Sequence, residues 1–546
     1  ILIRAGDRGR RTGHVTAGTG IGRHAASMSF TRRQAEGPQR GARHDVDDLA
    51  GQILLDLGAA GSILFRGATY REDSFWGEAG LTQAEFEADP FHNPSPADRF
   101  DLRRRSVQAA YQRSLAGTGR ATTVVYGQTV ERTSWRQASS SSDRFGTDAY
   151  ARNFGCADDA LSMADCGYQG RPRRYRFGGL EQRFHVTLRE GTTLANLDAG
   201  ARIHIERAER RQFLGTRPFD GGASLSRDNV LDADAYAVFA RLSVGRGAWA
   251  VTPGLRVEHV ATGNRNRMTD AADRSRHTQW LPGVGATRGL GHRATLFAGV
   301  HRGFAPPRPG DVLSPQPGQG IVQVDPELSW NYEVGVRSRP TAWMDLDATA
   351  FRIDFRNQIV EGGQAGAGQR FVNAGRTLHQ GLEVFAHLEN ITRRGIRPLA
   401  SATYTLVHRA NYASDVTSAV DGTTPIRGHR VPFAPTHLLS ATAGLASAGG
   451  ATIVVRGSYT SDQYADDLNT RAPAADGQAG LIAGHVILGL TANHPVGGGR
   501  GTVFASMDNL RNAVYIAERV EGIMVGAPRR FAVGLEWSLG AARESH

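Results

Sequence analysis

Hydrophobic and polar residues alternate along much of this chain with a period of two, in pieces of about eight to ten residues. In FAVGLEWSL, Phe531, Val533, Leu535, Trp537 and Leu539 fall on one face, with Ala532, Gly534, Glu536 and Ser538 on the other. HVILGLTAN repeats this with Val486, Leu488 and Leu490. FRIDFRNQ sets Phe351, Ile353 and Phe355 against Arg352, Asp354 and Arg356. Such pieces predict strands with one apolar face, joined by tight Gly/Asn/Asp turns or by longer polar loops. Alternation alone fits a soluble sandwich, apolar face inward, as well as a membrane barrel, apolar face to lipid.

The connections separate the two. VTPG (Val251–Gly254) reads as one of a set of short turns, whereas Gln137–Gly155, Arg308–Gly320 and Arg409–Gly428 are long and rich in Ser, Gly, Asp and Pro. Short turns on one rim and long loops on the other predict an all-β fold, a large antiparallel transmembrane β-barrel. No heptad, internal repeat or break in composition marks a second domain, so residues 1–546 are read as one barrel domain. No run of about 18 apolar residues predicts a membrane-spanning helix.

Charge changes the picture of what the barrel meets. All 64 basic residues are arginine and face 53 acids, a formal net charge of +11. That excess suits phosphorylated lipid, a polyanion or a carboxylate ligand, because the guanidinium fork holds carboxylate and phosphate bidentately. A genome rich in G and C would also replace lysine by arginine, and composition does not choose between these causes. The densest group is QGRPRRYRFGGLEQRF (Gln169–Phe184), with arginines at 171, 173, 174, 176 and 183. Nucleic acid is disfavoured, since the arginines are spread over loops and the aromatics (8%) form no stacking platform.

Enzymatic readings find no support. GTGIG (Gly18–Gly22) lacks the Lys of a phosphate-binding loop, and neither a GxSxG elbow nor HExxH occurs. No catalytic or metal-binding residues and no cofactor are assigned, and Asp466 and Asp467 read as loop residues. Cys156 and Cys166, in CADDALSMADC, are the only cysteines, and a local disulfide is the expected use.

Motifs in order along the chain resemble the barrel of a TonB-dependent outer-membrane receptor, and within that family the ferric dicitrate receptors. They are GLTQAEFEADP (Gly80–Pro90) followed by DRFDLRRR, the arginine-rich stretch above, and TPGLRVEH (Thr252–His259). GFAPP (Gly303–Pro307), PELSWNYEVGVR (Pro326–Arg337), NAGRTLHQGLE (Asn373–Glu383), VPFAPTH (Val431–His437) and YADDLNT (Tyr464–Thr470) continue the series. DNLRNAVY followed by GAPRRF closes it.

The resemblance implies a Gram-negative outer-membrane location, 22 strands, and uptake of a ferric chelate as cargo rather than catalysis. It also implies work supplied by TonB through an N-terminal plug, and outer-membrane lipid and lipopolysaccharide as neighbours. It places the start of this chain at the second barrel strand, with VTAGTG and HAASMSFTRR, so that plug, first strand and leader are expected upstream. By resemblance, Arg173 and Arg227 match arginines that grip the citrate carboxylates. Arg132 is the candidate for a third, with Arg136 as its rival, and Arg308 for a fourth. The alternatives are another anionic siderophore on the same fold, or a passive barrel.

Overall fold

The computed structural model describes residues 1–115, 117–138, 141, 167–307, 325–360, 372–373, 375–389, 395–418 and 420–539. Arg308, Cys156 and Cys166 lie outside the described residues. The first ten strands are β1 (Leu2–Gly6), β2 (Arg11–Ile21), β3 (His24–Glu36), β4 (Arg43–Asp56), β5 (Ser62–Phe75), β6 (Arg99–Ser114), β7 (Arg120–Arg136), β8 (Tyr168–Glu190), β9 (Thr193–Gly215) and β10 (Ser224–Arg246). Twelve more bring the main sheet to 22 strands, the last being Arg530–Trp537. Each pairs antiparallel with its neighbours in sequence.

The sheet closes on itself through β1, which pairs with β2 (Ile3↔Gly13) and with the last strand (Ile3↔Leu535). This corrects one expectation: the first strand is not missing, because Leu2–Gly6 fills its place. Five residues with a mixed pattern are a weak strand signal. They become one by satisfying the backbone groups of two open edges at once, which removes the liability of an unpaired edge.

Connections at one rim are two-residue hairpins wherever they are shortest: Gly22–Arg23, Gly191–Thr192, Gly247–Ala248 and Ala342–Trp343. Their glycines sit at φ 58°, 55° and 61°, a left-handed conformation that only glycine adopts without strain. The opposite rim carries the long loops, including the connections after Arg136, Ala305, Tyr412 and Thr460. VTPG is not a turn, however. It lies inside the strand Trp249–Asn266, where Thr252 pairs with Gly285.

Cross-strand partners share a face, so register carries the inside-outside assignment around the barrel. Val238, Leu242 and Val244 on β10, Leu180 and Leu188 on β8, and Val533 and Leu535 on the last strand are exposed on the outward face. Trp249 and Tyr236 mark the two ends of this apolar band, both exposed. Tyr236 and Arg246, the register partner of Trp249, stand ten positions apart. At ~3.3 Å per residue and a tilt of about 40°, that is roughly 25 Å, the height of a lipid-facing band.

Two of the three strands quoted above face as their alternation predicts, but FRIDFRNQ is inverted. Phe351 pairs with Glu333 on one side and Gly381 on the other, while Arg352 pairs with Tyr332 and Gln380. Glu333, Asn331 and Arg337 alternate with the apolar Tyr332, Val334 and Val336, so their side is the lumen and Phe351, Ile353 and Phe355 line it. The outward Arg352 and Asp354 pair with each other at 3.1 Å.

Candidate functional site

Strands β7 to β10 carry their arginines to one place. Arg132 on β7 pairs in register with Arg173 on β8, and Arg173 pairs with Arg210 on β9. Arg227 on β10 pairs with Gln212, two positions from Arg210 on the same face. All four share the phase of Tyr126 and His204, two lumenal groups whose side chains hydrogen-bond at 2.8 Å. The row lies five positions above Gly127, which belongs to the uppermost lipid-facing row. That places it about 13 Å beyond the apolar band, in the vestibule under the long loops.

The electrostatics at Arg132 and Arg227 are one-sided. Burial lowers the Arg132 guanidinium below its ordinary value, and the charges of Arg173 and then Arg210 lower it further. Burial does the same to Arg227, again with Arg173 and Arg210 adding to it. Among the described residues, no carboxylate forms an ion pair with Arg132, Arg173 or Arg227. Like charges directly opposite each other in a sheet are destabilising, so Arg132 facing Arg173 is held at a cost that an anion would relieve. Phe100 covers one side, with the Arg132 guanidinium carbon 5.7 Å from its ring centre.

The arginine-rich stretch, expected among the loops, is part of β8 itself. Alternation therefore splits it. Arg173 faces the lumen, whereas Arg174 faces outward and donates to Glu131 at 2.5 Å. Arg132 and Arg136 differ in burial and pairing. The Arg136 side chain is 3% exposed and paired with Glu78 from the loop after β5, so it is already engaged. Arg210 was missed. Its neighbour Arg211 sits in the same RR pair but faces outward toward Asp228 at 3.5 Å. The available signal was phase: Arg210 stands an even number of positions from His204 and Arg202.

Three loops from the long rim fasten together above the barrel. The helix α1 (Gln83–Ala88), in the loop after β5, starts on a capping box, with Thr82 Oγ accepting from Glu85 N at 3.2 Å. Just before it, Leu81 pairs with Ile523 through two backbone hydrogen bonds of 2.9 and 2.8 Å. Leu81, Ile523 and Val525 form a buried cluster under Phe86, Phe91 and Ile516. Arg519 donates to Gly477 O at 2.8 Å, tying in the third loop. At the foot of the first loop, Asp98 is buried and accepts from Gln137 N at 3.0 Å. Burial pushes its carboxyl up to about 8.

Among the described residues, no group of three or more His, Cys, Asp or Glu side chains is placed to hold a metal ion. Fold and site together define a closed antiparallel membrane barrel with a cationic vestibule at its looped end. Residues 49–510 match the family described as TonB dependent receptor-like, beta-barrel, and the chain belongs to it. That family consists of outer-membrane transport receptors of Gram-negative bacteria, not of enzymes.

Three comparisons place the chain within that family. The ferrienterobactin receptor of Escherichia coli K12 is 23% identical over 297 residues, 51% of this chain and 36% of that protein. The ferric enterobactin receptor PirA of Pseudomonas aeruginosa is 26% identical over 201 residues, 32% of this chain and 25% of that protein. The matches thus span about a third or less of these curated relatives. The solved structure of the ferric citrate transporter FecA in its unliganded form superposes with a TM-score of 0.78 at 19% identity. It covers 98% of this chain, which in turn covers 77% of it, and so shows the shared fold.

Proposed function

We propose that this barrel serves a TonB-dependent receptor for an anionic ferric chelate, with ferric dicitrate as the ligand that fits best. The observation carrying the reading is the row of Arg132, Arg173 and Arg210 with Arg227 beside it, with no carboxylate pairing at Arg132, Arg173 or Arg227 among the described residues. A small chelate bearing several carboxylates complements four guanidinium groups on adjacent strands. Charge-assisted contacts contribute roughly 1.5–3 kcal/mol each, and about 8 kcal/mol corresponds to micromolar affinity. Three or four such contacts sum to roughly 4.5–12 kcal/mol, a range that spans that level before the cost of association is subtracted.

Arg308 would add a further contact from the loop after Ala305. The fastened loops would close over bound chelate, and a plug domain in the lumen would carry the signal to TonB. A catecholate chelate is the second reading, since both curated relatives are named as enterobactin receptors. Ferric enterobactin is larger and also anionic.

The test is tryptophan-fluorescence titration of the whole receptor with ferric dicitrate, ferric enterobactin and a neutral ferric hydroxamate, in wild type and Arg210→Gln. Saturable dicitrate binding that weakens about tenfold or more in the variant supports ligand and site together. Dicitrate binding of equal strength in both proteins moves the site elsewhere. Preference for enterobactin replaces the ligand and keeps the barrel, while binding of none of the three removes the chelate reading.

A further inference from the structure

The loop after β5 stands on two feet, and both rest on the end of β7. Glu78, near its outgoing end, pairs with Arg136, and Asp98, at its returning end, accepts from Gln137 N at 3.0 Å. The two feet differ in chemistry. The Glu78 side chain is 32% exposed, whereas Asp98 is fully buried. Asp98 Oδ1 accepts the Gln137 N–H, and among the described residues its Oδ2 has no partner. Gly77 closes over that oxygen, since a Cβ there would stand 3.0 Å from it. Ser95 lies against the same glycine, its Oγ likewise unpartnered among the described residues.

No cation is at hand to hold Asp98 as an anion. Among the described residues it forms no ion pair, and Tyr168 faces it from the head of β8. The charged groups of the elements packed around it are engaged elsewhere: Arg136 with Glu78, Asp89 with Arg40, and Arg99 over the Phe75 ring. A carboxylate shut away from water without a cation is costly, whereas the neutral acid is tolerated. Burial accordingly keeps this carboxyl protonated up to about 8. Two residues on, the Phe100 ring covers Arg132. At the other end of the loop Leu81 is clasped to Ile523, and α1 follows. The foot at Asp98 thus joins the loop cluster to the wall of the arginine vestibule.

We propose that Asp98 is a proton-operated latch: its neutral carboxyl keeps the loop after β5 seated on β7, and loss of the proton lifts that loop and uncovers the Arg132 side of the vestibule. The proposal rests on the packing of the loops and not on the identity of the chelate. In the lifted loop Asp98 meets water and ionises at about pH 4. Seating therefore takes up one proton across the interval from there to about 8, and its equilibrium constant falls about tenfold per pH unit within it. The latch holds in acid and loosens toward alkaline pH.

The test is amide hydrogen exchange of the whole receptor in detergent, read by mass spectrometry from about pH 5 to about pH 8 and corrected for the intrinsic pH dependence of exchange. The Gly80 and Leu81 amides report seating, because they bond to Glu521 O at 2.8 Å and Ile523 O at 2.9 Å. Wild type should lose protection there by about tenfold per pH unit, while peptides from β9 stay constant. Asp98→Asn, which cannot ionise, should hold one level throughout. Glu78→Gln, at the other foot, should lower protection at every pH and keep the wild-type slope, which keeps the test decisive if Asp98→Asn does not fold. A slope in Asp98→Asn equal to that of wild type would overturn the proposal. So would a flat wild-type profile, loss of the slope in Glu78→Gln, or a parallel slope in the β9 peptides, which would mean unfolding of the barrel rather than lifting of the loop.

Discussion

Replacing Arg173 by glutamine should weaken ligand binding and strengthen the ligand-free barrel. Arg173 stands between Arg132 and Arg210 in the register row, so it takes part in both like-charge contacts along it. Facing Cα atoms in neighbouring strands are ~5 Å apart, and the long side chains can splay their charges to about 7 Å. Repulsion at that distance is roughly 0.6 kcal/mol per pair in water-like surroundings and about 2.4 at an effective dielectric of 20. Relief of the Arg132 pair alone gives a gain of about 0.6–2.4 kcal/mol, reduced by whatever side-chain relaxation already relieves.

The variant also loses one charge-assisted contact to the ligand, ~1.5–3 kcal/mol, or roughly 10–150-fold in affinity. Urea unfolding at low salt should therefore show a higher midpoint for Arg173→Gln than for wild type. That gain should shrink at about 1 M NaCl, where the screening length falls to ~3 Å. A lower midpoint at both salt concentrations would mean that satisfied contacts hold these arginines. The reasoning from unrelieved repulsion would then be refuted.

Two further outcomes follow from the same geometry. The folded state keeps Asp98 protonated up to about 8, whereas an unfolded aspartate ionises near pH 4. The pH-dependent part of its burial cost is thus small at about pH 4 and erodes stability progressively as pH rises toward 8. Asp98→Asn keeps an acceptor for Gln137 N and should flatten this slope, exceeding wild type at about pH 8.5 and matching it at about pH 4. Parallel stability–pH curves would exclude Asp98 as the source. In a Cys156→Ser/Cys166→Ser background, a spin label at residue 351 should be relaxed by a water-soluble nickel chelate and one at residue 334 by oxygen dissolved in lipid. The reverse pattern would undo the inside-outside assignment of that strand pair.

Much of the architecture was legible because its causes are local. Period-two alternation, glycine at hairpin turns and long polar loops on one rim each act within a few residues, and together they predict a large barrel. Arg132, Arg173 and Arg227 came instead from the family resemblance, and the structure brings them together on β7, β8 and β10.

What the sequence could not supply was register. A strand's alternation says that it has two faces but not which one meets lipid. Phe351 was placed inside by Glu333 and Gly381 across its two neighbours, not by its own segment. Arg210 joined the vestibule and Arg211 left it because β8 and β10 fix the phase of β9. The short β1 became a strand because two edges needed a partner. Local chemistry determined the elements and the loops, while closure of the sheet decided which side chains meet, since hydrogen-bond register couples residues that are distant in the chain.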